Sequence, residues 1–120
     1  MSTPAGLYNI IADQGSTFSR TIIWRDPAKK PILMEGYTAR MHVRTSADAT
    51  DTVLELTTEN GRISLHRTNG SITLTVDDDT MAEIPEGKYI YDLELIGPSA
   101  DLYVYKLLTG NFVVRAEVTR

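Results

Sequence analysis

Two histidines, a run of three aspartates and an alternating basic row are the residues of this 120-residue chain whose types suit chemistry. His42 stands between Arg40 and Arg44 at every second position, and His66 precedes Arg67. Nucleophilic catalysis needs a nucleophile, a base within hydrogen-bond reach and a group that orients the base. Neither histidine sits in such a pattern. Asp77-Asp78-Asp79 offers carboxylates to a hard cation, but the EF-hand alternation of ligands, central glycine and distal bidentate Glu are missing. The run reads instead as carboxylates at a helix N-terminus, where exposed N–H groups favour negative charge. No catalytic residue, metal or cofactor is expected.

Asp92 and Glu94 share one side of a strand, the arrangement acid–base chemistry uses. The structural reading makes them the wet side of a sheet, with Arg40 and Arg44 as facing cations if their strand lies alongside. The Arg40, His42, Arg44 row is also a docking surface for phosphate or an acidic partner. No aromatic side chains interleave with it, which speaks against single-stranded nucleic acid. Tyr103 and Tyr105 share a strand face as well. They are either an aromatic docking surface, for carbohydrate or protein, or part of the core. Asn69-Gly70-Ser71 matches a glycosylation sequon, but without a secretory signal a hairpin turn explains it fully.

The elements that position these residues follow a period of two. Tyr37, Ala39, Met41 and Val43 alternate with Thr38, Arg40, His42 and Arg44, the mark of a strand with one dry face. The same pattern recurs at Ile72, Leu74, Val76 and at Tyr89, Tyr91, Leu93, Leu95; Phe18, Ile22 and Trp24 share a face on which Arg20 is the exception. Shorter strands are predicted at Leu7–Ala12, Thr52–Thr57, Arg62–His66, Leu102–Leu108 and Asn111–Val118. Asn60-Gly61 and Asn69-Gly70 read as hairpin turns, Gly97-Pro98-Ser99 and Thr109-Gly110 as breaks, Asp26–Pro31 and Thr45–Asp51 as loops. Thr80-Met81-Ala82-Glu83 fits a capping box, and Pro85 confines that helix to a turn. Trp24, Met41, Leu74, Tyr91 and Leu93 are expected to join two sheets.

Composition narrows the function classes. The absence of cysteine removes disulfides, thiolate nucleophiles and cysteine metal sites. Twelve Lys and Arg against sixteen Asp and Glu give a net charge of −4, against general nucleic-acid binding. No stretch approaches the roughly 18 apolar residues that span a bilayer, and no basic, apolar leader opens the chain. Residues 1–6 read as a flexible arm and 7–120 as one domain.

Ile84-Pro85-Glu86-Gly87-Lys88-Tyr89-Ile90-Tyr91 places Tyr89 where immunoglobulin-like sandwiches put a corner tyrosine, whose hydroxyl bonds back to the preceding loop. The expected fold is an all-β, immunoglobulin-like antiparallel sandwich of about seven or eight strands with one helical turn. Four stretches then carry a resemblance: Asp13–Phe18 leading to Ile22-Ile23-Trp24, Glu35–Met41, Pro85–Leu95, and Leu108–Val114 with Glu117–Arg120. Together they resemble small virion proteins of tailed bacteriophages and the N-terminal immunoglobulin-like domain of phage baseplate proteins that anchor receptor-binding proteins. The resemblance implies a non-enzymatic virion component, made in the host cytoplasm, that bridges tail or baseplate proteins as a homo-oligomer. The alternatives are a capsid decoration protein, or a free module binding carbohydrate or a host protein.

Overall fold

The computed structural model describes residues 6–25, 28–98 and 104–117. Among them nine strands and one short helix follow in order: β1 (Gly6–Leu7), β2 (Ile10–Asp13), β3 (Phe18–Ile23), β4 (Thr38–Arg44), β5 (Leu54–Thr57), β6 (Ile63–Leu65), β7 (Ser71–Val76), α1 (Asp78–Ala82), β8 (Gly87–Ile96) and β9 (Val104–Arg115). The larger sheet runs β1-β9-β8-β4-β5, with β2 also on β9; the smaller runs β3-β7-β6. The two face each other as an immunoglobulin-like sandwich.

The alternation read from the sequence sets the inner faces. Ala39, Met41 and Val43 of β4 and Tyr89, Tyr91, Leu93 and Leu95 of β8 are buried, as are Ile72, Leu74 and Val76 of β7. Phe18 from the smaller sheet and Phe112 from the larger meet edge to face, with ring centroids 5.5 Å apart. Arg20, inward on β3, lies 5.3 Å from the Phe18 ring centroid and donates to the Ile11 carbonyl at 2.7 Å. Its stem covers the core while its charge escapes through the open edge of the sandwich.

Five local expectations change. β1 and β2 pair with β9 in parallel, so the sheet is mixed. A parallel pair needs a long connection, and here the intervening domain supplies it. Asn60-Gly61 does not close a hairpin, because β5 and β6 belong to different sheets; the Asn60 side chain holds the crossover by accepting from the Thr57 and Arg62 amides. Thr109-Gly110 is not a break but lies inside β9. Trp24 is only partly buried, at one end of the sandwich rather than between the sheets. Gly6, expected in the arm, pairs with Leu108, and residues 1–5 lie outside the described residues.

The helical turn is built three residues earlier than a Thr80 cap would place it. Asp77 is the N-cap, accepting from the Thr80 amide and, at 2.7 Å, from the Thr80 hydroxyl. The hydroxyl bond holds the Asp77 carboxyl below the ordinary aspartate range. The folded chain therefore binds this proton more weakly than the unfolded chain. The resulting stabilisation is complete above the ordinary aspartate pKa and is lost as pH falls through the depressed value. Asp77→Ala should lower the thermal midpoint at neutral pH, with the gap to wild type closing in acid; a pH-independent gap rejects this account.

Candidate functional site

The outer face of the larger sheet gathers most of the charged residues singled out above. On β4, Arg40, His42 and Arg44 point outward in register with Glu94, Asp92 and Ile90 of β8. Arg40 Nε donates to Glu94 Oε1 at 2.8 Å, so one expected cation–carboxylate pairing exists. Asp92 instead takes Lys106 of β9, at 3.3 Å, and Arg44 turns away from both carboxylates. Arg44 donates from Nη1 to the Ala49 carbonyl at 2.9 Å, tying the β4–β5 loop, and from Nη2 to His42 Nδ1 at 3.2 Å. An arginine can only donate. Nδ1 therefore accepts, and Nε2 carries the proton that reaches Glu55 Oε2 of β5 at 2.9 Å.

A shallow depression of about 430 Å³ lies over this network, lined by Arg40, His42, Arg44, Asp92, Glu94 and Asn111 among others. The ion pairs are solvent-accessible and each contributes at most about 1 kcal/mol to stability. Their arrangement therefore matters more for what the face can meet than for holding the fold. Glu55 and Lys106 were not singled out in the sequence; their only signal was an outward position in an alternating run.

The second surface is at one end of the sandwich. The connection between β3 and β4 (residues 24–37) carries Trp24 and Tyr37, and Tyr105 stands near the start of β9. Trp24 meets Tyr105 at 5.8 Å and 60°, and Tyr37 at 6.4 Å and 75°; Tyr37 and Tyr105 stack at 6.4 Å and 28°. Burial, and then Tyr105 beside it, push the Tyr37 phenol above its ordinary pKa. Tyr105 thus divides the two readings offered for it: it packs on a cluster beyond the main core, yet remains 36% exposed. Tyr103 lies outside the described residues. Trp24 and Tyr37 were missed as surface residues because strand alternation assigned both to the inner face, and alternation carries no information about where a sheet ends.

This end is tied by backbone contacts. Trp24 donates its amide to the Gly70 carbonyl at 2.8 Å, and Ile32 to the Trp24 carbonyl at 3.0 Å. Gly70 holds φ +72, and a Cβ there would stand 2.4 Å from the Trp24 carbonyl oxygen, so glycine is required twice over. The β6–β7 connection, with Asn69-Gly70, is the hairpin expected, and His66 serves as its internal brace: Nδ1 accepts from the Asn69 amide at 3.3 Å. Leu33, in the same connection as Trp24, is 66% exposed, and Val104, next to Tyr105, 44%.

The remaining candidates are structural. The Tyr89 hydroxyl donates to the Pro85 carbonyl at 2.6 Å, the corner bond read from the sequence. Tyr91, at the position of an antibody cysteine, is buried and donates to the Tyr8 carbonyl; burial raises its phenol pKa far above the ordinary value. Asp77, Asp78 and Asp79 are exposed carboxylates whose nearest oxygens lie within 4.8 Å of one another. Among the described residues they are the carboxylates best placed to hold a cation, although Asp77 already serves the helix cap.

No family model matches the chain, and no curated protein matches it. Similar solved structures include the extracellular domains of the voltage-gated sodium channel β4 subunit, whose parallel homodimers explain its role in cell–cell adhesion (13% identity, 98% of each chain, TM-score 0.38). Tim-1 is another (14% identity, 98% of this chain and 99% of that one, TM-score 0.41). A third comes from sodium channel β subunits with multimeric cell-adhesive interactions (12% identity, 99% of each chain, TM-score 0.37). The resemblance to tailed-phage virion and baseplate proteins is overturned: these neighbours are immunoglobulin-like extracellular domains, not phage proteins. The residues that carried it explain the error. Those among the described residues fall mostly on the β2–β3 turn, β3, β4, β8 and β9, the framework of the sandwich itself.

Proposed function

We propose that this domain is a binding module that docks a protein partner through the aromatic end of the sandwich. The observation that supports this is the Trp24–Tyr37–Tyr105 cluster, held on closely tied backbone and flanked by exposed Leu33 and Val104. Loops at the ends of a rigid sandwich are where such folds place recognition. Trp and Tyr supply large contact area with little conformational entropy to lose, which is why they dominate binding hot spots. A protein surface suits the cluster better than a sugar. Its rings are turned on one another, edge to face or stacked, whereas a pyranose needs an open ring face.

The test is a peptide-library selection on the wild-type domain with counter-selection on Tyr105→Ser, alongside a glycan array. Selected peptides should be apolar and should bind Tyr105→Ser at least tenfold more weakly, while the variant keeps its β-sheet circular dichroism. Peptides that bind both proteins equally, no selected peptides at all, or a sharp glycan hit would each overturn the reading.

A further inference from the structure

We propose that the outer face of the larger sheet binds a second copy of this chain, about a two-fold axis that runs parallel to the strands between β4 and β8. The charges alternate in sign strand by strand across the face. β5 presents Glu55, β4 presents Arg40 and Arg44, β8 presents Asp92 and Glu94, and β9 presents Lys106. The order is negative, positive, negative, positive, which is antisymmetric about the line between β4 and β8.

A two-fold on that line sets each row against one of opposite sign. β4 of one copy faces β8 of the other, and β5 faces β9. Because Arg40 is in register with Glu94 and His42 with Asp92, each copy's Arg40 meets the other's Glu94 at the same level along the strands. The contact occurs twice, as an isologous interface requires. Axes that run along a strand or across the strands fail. An axis along β8 lays the Arg40 row over Lys106, and one along β4 lays Glu55 over Asp92. An axis perpendicular to the strands sets every strand over its own copy, like charge on like. Juxtaposed like charges oppose binding and complementary rows specify register. The axis between β4 and β8 is therefore the one that sets all four rows against opposite charge.

Size sets the strength. Four strands at about 4.8 Å spacing, overlapping along the seven residues of β4 at roughly 3.4 Å each, present a face of about 20 by 24 Å. That belongs with small interfaces, which form weak and transient complexes. The dimer is accordingly concentration-dependent and weakens with salt, since charge pairs across a small face supply its attraction.

Sedimentation velocity from micromolar to millimolar protein at low salt tests this with two chains, Arg40→Glu and Glu94→Arg. Wild type should show a reversible monomer–dimer equilibrium. Each variant alone should dimerise at least tenfold more weakly, because its face then sets like charge against like. Mixed in equal amounts, the two should form a heterodimer of at least wild-type affinity. The same exchange at the exposed pair Glu35 and Arg67, which lie 3.9 Å apart on the end loops, should leave the equilibrium unchanged. A wild-type chain that stays monomeric at millimolar concentration, a dimer indifferent to Arg40→Glu, or a mixture that fails to associate while both variants keep wild-type circular dichroism would overturn the proposal. Tyr105→Ser should leave the dimer intact, so this outcome is separate from that of the aromatic end.

Discussion

Phe112→Ala is expected to lower the free energy of unfolding by about 3–5 kcal/mol, the range for deleting a large buried aromatic. For a domain of this length that corresponds to a drop of roughly 10–20 °C in thermal midpoint. Phe112 is completely buried on β9 and reaches Phe18 of the opposite sheet. Its loss therefore removes apolar burial and also opens a void between the layers, which close-packed neighbours fill only in part. Thermal melts followed by circular dichroism provide the measurement. Ile11→Ala is the control: Ile11 lies on the adjacent strand but is 49% exposed, and its replacement should cost no more than about 0.5 kcal/mol. Equal shifts for the two variants would mean that the inward face of β9 and its neighbours is wrongly assigned.

Gly110→Val is the second large effect, and it acts through backbone rather than packing. A Cβ at position 110 would stand 2.3 Å from the Tyr8 carbonyl oxygen and 3.0 Å from the Asn9 side-chain oxygen. The obstacle is mostly main chain, so no rotamer change relieves it. Either β9 bends away or the N-terminal strands leave it, at a cost on the order of 3 kcal/mol, the upper part of the range for overpacking. Departure of the N-terminal segment would also release the bond from Tyr91 to the Tyr8 carbonyl and the Asn9 side chain from the Asn111 amide. Hydrogen exchange should then show faster loss of protection at Ile11 and Ala12 than at Met41 or Leu93. Uniform acceleration across both sheets, or none, would contradict this account.

The same glycine shows where sequence reading reached its limit. Thr109-Gly110 looks like a break because glycine is a poor strand residue in isolation. Its use here depends on a carbonyl that arrives from the other end of the chain, about a hundred residues away, and no local pattern records that approach. Asn60-Gly61 failed for a related reason. The dipeptide marks a reversal correctly, but whether the following strand pairs with its predecessor or crosses to the other layer is decided by which inner face is open to it. Thr80 and Glu83 fit a capping box, yet Asp77 supplies a cap three residues earlier with a charged acceptor, and the stronger local bond prevails.

What succeeded has an equally physical basis. A strand half in contact with water must alternate, so β4, β7 and β8 could be drawn with their dry faces named, and the local context of Tyr89, two residues after Gly87, suggested a hydroxyl bonded back to the preceding loop, where Pro85 accepts it. The charged residues of the outer face were legible as exposed, because the same alternation that buries Met41 and Leu93 turns Arg40 and Glu94 outward. Their partners were not. Arg40 finds Glu94 and Asp92 finds Lys106 only through strand order, and β9 reaches Lys106 into place after a one-residue bulge at Leu107, between the pairs Leu93–Leu108 and Glu94–Lys106.

Side-chain periodicity, turn chemistry and the corner tyrosine are local properties, set by covalent geometry within a few residues, and they were enough for an all-β immunoglobulin-like domain. Which strands become neighbours, where a sheet stops so that Trp24, Tyr37 and Tyr105 gather at its end, and which sign of charge lies beside which depend on contacts between distant segments. Those contacts exist only once the layers close, so the surfaces through which this domain can be met belong to the folded molecule alone.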